Sequence, residues 1–188
     1  MTDISEIWPG ADVVPSGTYA LVRGHWFYVD MQMFWTWPDV TLALVASPAQ
    51  AAELGWVTER AAAPYLDRNR YRFPGSTLFD VPLDWVERNL KTETVCTIGG
   101  QPFNLGLVID DHGQYVRWPV EQDATGYKAG VTYMGDDLDW IRSQGIFTSQ
   151  DPRGLNDPWY GDVPLTDLHD IRTTIIELPL PIPGNPNT

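Results

Sequence analysis

Cysteine, lysine and long apolar runs are scarce in this chain of 188 residues, and each shortage removes a class of protein. The single thiol, Cys96, has no partner for an intramolecular disulfide, so a disulfide-stapled scaffold is excluded and a reducing cytoplasm is the expected compartment. No apolar run approaches the ~20 residues that cross a bilayer, which argues against a membrane span. Residues 1–10 hold Asp3 and Glu6 and no basic residue, so they do not read as a signal peptide. Positive charge is short as well: 12 Lys and Arg stand against 25 Asp and Glu, a net charge of −13. The only lysines are Lys91 and Lys128. A surface of that sign repels phosphate backbones, which speaks against nucleic acid as a partner.

What is present is a globular composition, 43% hydrophobic, laid out as an echo. Asp80-Val81-Pro82-Leu83 recurs as Asp162-Val163-Pro164-Leu165. Earlier in the chain, Gly24 and Phe27 of residues 23–29 match Gly100 and Phe103 of residues 99–105. The two matches occur in the same order, which reads as an internal duplication. The expected organisation is an N-terminal extension over residues 1–14, a first repeat over 15–93, a second over 94–178 and a Pro-rich tail over 179–188. Residues 1–93 hold 7 basic and 12 acidic side chains, net −5; residues 94–188 hold 5 and 13, net −8.

Each repeat opens with strand signals. Residues 18–23 and 25–31 are rich in β-branched and aromatic side chains and flank Arg23-Gly24, a hairpin turn. Residues 40–46 form a third strand, and Ser47-Pro48 starts a short helix closed by Gly55. In the second repeat, 95–98, 102–109 and 114–118 read as strands, with Asp110 to Gly113 as a turn. Asp136 is the expected N-cap of a helix over 137–144, with Gly145 at its far end and Trp140 and Ile141 facing inwards.

Residues 78–87 resemble the end of an SH3-like barrel, in which a proline-led 3-10 turn precedes the last strand. Residues 159–168, followed by 171–178, repeat that arrangement. Proline fits the first position of such a turn, and the apolar residues after it plug a barrel end. The fold class expected is therefore mainly β with short helices, a β-rich α+β chain of two tandem SH3-like small barrels. The wider layout is Gly17-Thr18-Tyr19, Arg23-Gly24, a strand and a Val-Pro-Leu turn, with these features echoed in the second half. It resembles uncharacterised actinobacterial two-repeat proteins similar to the immunity partners of polymorphic toxins. That resemblance implies a binding protein that neutralises a toxin domain.

Catalytic signatures are sparse. His25, His112 and His169 have no Ser or Cys beside them and read as surface or turn histidines. Cys96, between Val95 and Thr97 in a strand, reads as an inert buried thiol. Gly75-Ser76-Thr77 lacks a nucleophile elbow, and the glycines at 126 and 130 do not form a phosphate loop. Asp110, Asp111 and His112 are adjacent in a turn, and Asp136, Asp137 and Asp139 lack the spacing of a calcium loop. No metal and no cofactor is expected.

The aromatic content of 12% is the remaining signal. Trp26, Phe27, Trp85 and Trp140 have settings that suit core filling. Trp35, Trp37, Trp159 and Tyr160 lie in loop-like segments beside Pro and Asp. Aromatics ringed by acids have the composition of a hot spot facing a basic protein. The expected partner-binding residues are Asp151, Asp157, Trp159 and Tyr160, with Asp136, Asp137 and Asp139 steering approach; no residue is assigned a catalytic role. The expected function is an acidic cytoplasmic protein-binding module that docks onto a basic partner. Two other readings stand beside it: a small hydrolase with a carboxylate pair in a cleft between the repeats, and a structural subunit of a phage or other assembly.

Overall fold

β-branched and aromatic runs, punctuated by Gly and Pro, become strands. The computed structural model describes residues 4–7, 13–29, 41–46, 52, 55, 77–111, 126–149 and 158–180. Its elements are a one-turn helix α1 (Ile4–Ile7) and strands β1 (Gly17–Val22), β2 (His25–Val29), β3 (Thr41–Ala46), β4 (Thr77–Pro82), β5 (Val86–Ile98), β6 (Gln101–Ile109) and β7 (Lys128–Tyr133). Helix α2 (Leu138–Ser143) and strands β8 (Tyr160–Pro164) and β9 (His169–Leu178) follow. The 3-10 turns Leu83–Trp85 and Leu165–Asp167 precede β5 and β9. The chain is mainly β, as its composition predicts. Of the expected helix closed by Gly55, only Ala52, which is helical, and Gly55, with φ of 70° and its N–H donating to the Ala52 carbonyl oxygen at 3.1 Å, are described. The strand over 114–118, His112, Trp35 and Trp37 lie outside the described residues.

The chain divides into two compact units. The N-terminal unit is Gly17–Thr92 with Ile175–Thr188; the C-terminal unit is Glu93–Thr174 with Met1–Ser16. In the first, the antiparallel order is β4-β3-β2-β1-β5, and in the second it is β8-β7-β6-β5-β9. One strand order thus occurs twice. β5 is continuous across the expected repeat boundary at residue 93, its first half pairing with β1 and its second with β6. The path of the sheet is open: among the described residues no ladder returns β4 or β8 to the sheet, so two closed barrels are not what the hydrogen bonding describes.

The echoed residues occupy equivalent places. Arg23-Gly24 has φ of 50° and 78°, and Gly99-Gly100 has 56° and 78°. Two consecutive residues with positive φ make the tight hairpin whose twist suits antiparallel strands. Pro82 and Pro164 lead their 3-10 turns with φ, ψ of −55°, 139° and −53°, 137°. Val81 and Val163 are buried, one in each unit's core. Asp162 is an exposed residue of β8.

The core of the N-terminal unit contains Ala20, Val22, Phe27, Val29, Leu44, Val81 and Val86. Strand alternation that sends Phe27 inwards turns Trp26 to the other face, where the Arg88 guanidinium lies 5.6 Å from its ring centre. Trp26 is therefore not the core residue expected. Trp85 packs at the edge of the core beneath Arg23, 3.7 Å from the ring centre. In the C-terminal unit, Phe103 stacks on Phe147 at 5.2 Å and meets Tyr133 at 5.2 Å. Val13 joins this core, and buried Thr94 donates to the Val14 carbonyl oxygen and shares a 2.8 Å hydrogen bond with Thr173. The expected N-terminal extension thus joins this unit at Val13 and Val14.

Candidate functional site

The expected site residues part company on the C-terminal unit. Trp159 is half-buried and packs against that unit's core, and its indole Nε1 is buried without a hydrogen-bond partner. Tyr160, the next residue, points the other way and is 43% exposed. Period-two alternation alone separates them. Asp151 and Asp157 lie outside the described residues.

Tyr160 lies on the outward face of β8, between polar neighbours. It pairs with Thr132 on β7, which pairs with Asn104 on β6. On its other side it forms a two-bond bridge with Thr148, both N···O distances 2.9 Å. Tyr133, Phe147 and Val163 are buried on the inner face, so their neighbours turn outwards. Met134, two residues beyond Thr132, is 56% exposed, and Ile146, two before Thr148, is 55% exposed. Pro102, whose carbonyl oxygen accepts from the Met134 N–H, and Pro158 are exposed as well. Residues diagonal across paired strands lie about 7 Å apart, within reach of side chains this long. Gly161 makes the arrangement possible: a Cβ there would stand 2.9 Å from the Ile146 carbonyl oxygen and 2.9 Å from the Phe147 ring.

Acidic groups flank this face. Asp136 and Asp137 follow Met134 directly after Gly135, and both are exposed, as is Asp139. The N-cap of α2 is Asp137, one residue later than expected, and its Oδ1 accepts from the Trp140 N–H at 2.9 Å. The shift has a physical cause: the Tyr133 hydroxyl accepts from the Asp137 N–H at 3.1 Å and holds that residue outside the helix. Gly145, with φ of 69°, ends the helix as expected. Ile141 is buried, and Trp140 stacks on Tyr133 at 6.0 Å. Asp139 lies 3.8 Å from Arg142, a loose exposed pair. Asp162, two residues along β8 from Tyr160, is also exposed; Lys128, opposite Pro164, is the cation at that end of the face.

The other candidates stand apart from this surface. Cys96 is buried, and loss of solvation pushes its thiol up from an ordinary 9.0 to about 11, the protonated, unreactive form. His25 and His169 are exposed at strand starts. Among the described residues, no three His, Cys, Asp or Glu side chains gather as a metal site would require. Sequence reasoning missed β7, although Val131-Thr132-Tyr133 carries a strand composition, and with β7 it missed Met134. No family model, curated protein or solved structure matches the chain.

Proposed function

We propose that the chain is an internal duplication of an SH3-like unit and acts as an acidic cytoplasmic module that binds, and thereby neutralises, a basic protein such as a toxin domain. The duplication draws support from the strand order common to both units, the matched positive-φ turns and the proline-led 3-10 turns. A buried, protonated thiol suits a reducing compartment. No helix among the described residues is long and apolar enough to cross a membrane.

One observation carries the binding reading: the C-terminal unit exposes the large apolar side chains of Met134, Ile146 and Tyr160, and its Asp136, Asp137, Asp139 and Asp162 are exposed as well. Grouped exposed apolar side chains mark interaction surfaces more often than scattered ones do. A tyrosine gives large contact area at small entropic cost, and the surrounding carboxylates select a cationic partner and hasten encounter. Trp159 belongs to the support of this face rather than to its contact surface.

The test is affinity capture from the organism that encodes the chain, using the wild type and a Tyr160→Ala, Met134→Ser variant side by side. The reading requires one basic protein held by the wild type and lost by the variant, followed by reconstitution of the complex from purified components. Equal recovery by both proteins would reject this face as the docking surface.

A further inference from the structure

The repeated Asp-x-Pro of residues 80–82 and 162–164 lies on the two strands that end the sheet, β4 and β8. We infer that it is an edge guard, which keeps a second copy of this chain from adding a strand to either end. Terminal strands present unpaired N–H and C=O groups, a template for edge-to-edge association.

The backbone directions on β8 can be read individually. The Trp159 carbonyl oxygen accepts from the Tyr133 N–H at 2.7 Å, and the Leu165 N–H donates to the Tyr127 carbonyl oxygen at 2.9 Å. Odd-numbered residues therefore bond inwards to the sheet, and Tyr160, Asp162 and Pro164 present their backbone groups outwards. Thr148 takes both groups of Tyr160. Pro164 has no N–H to offer. Among the described residues, Asp162 keeps both its outward donor and its outward acceptor, and its carboxylate is exposed. A two-fold antiparallel pairing of two copies, centred on that position, sets Asp162 against its own counterpart about 5.5 Å away between Cα atoms, where like charges repel.

β4 obeys the same logic. Pro82 lies opposite Thr41, and a proline is accepted in a ladder only where its missing N–H would face away from the neighbour. Pro82 and Asp80, two residues earlier, are thus outward positions too. The motif recurs on β4 and β8, the equivalent strands of the two units.

Sedimentation velocity over a concentration series tests this. Asp162→Thr with Pro164→Val should strengthen self-association by about tenfold or more over wild type, while the charge control Asp167→Asn matches wild type. A double variant with native circular dichroism and a cooperative melt that sediments as wild type overturns the inference. If the double variant does not fold, Asp162→Thr and Asp162→Lys decide the matter. The threonine variant should associate more tightly than the lysine variant, which keeps like charges opposed; identical sedimentation of the two overturns the inference.

Discussion

Asp137 and Cys96 show how single side chains acquire a role that their neighbours determine. Asp136 and Asp137 are chemically equivalent as helix starters, and only the hydroxyl of Tyr133 on the Asp137 N–H selects between them. Tyr133 lies only four residues upstream, but nothing in the sequence shows that its ring folds back onto the Asp137 N–H, so the cap was legible to within one residue. Asp137→Ala should cost about 1 kcal/mol in urea denaturation, and Asp136→Ala much less. For Cys96 the sequence context was sufficient, because a small apolar side chain between β-branched neighbours is buried by strand alternation. Its raised value has a definite sign. Below pH 9.0 the thiol is protonated in both folded and unfolded chains; between 9.0 and about 11 only the unfolded chain gives up the proton. Stability should therefore fall through that window, by at most about 1.4 kcal/mol per pH unit from this group. Comparing wild type with Cys96→Ala across the window isolates it: the alanine variant should lose that part of the slope.

Among elements, the turns were the most legible and the strands between them the least. The Arg23-Gly24 turn was legible from Gly24 between two strand-like runs, although Arg23 takes a positive φ that arginine seldom adopts. The prolines before the 3-10 turns were equally plain. β7 escaped because its Gly130 and short length obscure the alternation, and its place is decided by pairing with β6 and β8. β5 was read in two pieces, a strand closing the first repeat after the proline-led turn and a strand over 95–98, because Glu87, Lys91 and Glu93 interrupt the apolar pattern, while the buried Thr92 and Thr94 satisfy their hydroxyls on carbonyl oxygens. If the two hairpins are copies of one design, Gly24→Ala and Gly100→Ala should cost similar amounts, about 1 kcal/mol each from the left-handed backbone. Chemical denaturation of both variants checks this; a large cost at one turn and none at the other would count against equivalence.

At the scale of the whole molecule, the proposed binding function would divide its work between charge and shape. A net charge of −13, acting over a Debye length of roughly 8 Å at physiological salt, would govern encounter. The exposed side chains around Tyr160 would govern how long a complex lasts. The carboxylates of this face were legible in the sequence, since they cluster within residues 136–139. Its apolar members were only half legible: Tyr160 stood out, Trp159 was grouped with it although alternation sends it inwards, and Met134 and Ile146 come to the same face through strand pairing that spans 28 residues of chain. Charge reversal at Asp136 and Asp139 should lower the association rate and flatten its salt dependence, leaving dissociation nearly unchanged.

The most direct measurement is the dissociation rate of the reconstituted complex with the captured basic protein, followed by surface plasmon resonance for wild type and Tyr160→Ala. Docking through the exposed face predicts an increase of about tenfold or more, since a central aromatic anchor contributes on the order of 2 kcal/mol. An unchanged dissociation rate, with the variant folded and the complex intact, would contradict the account.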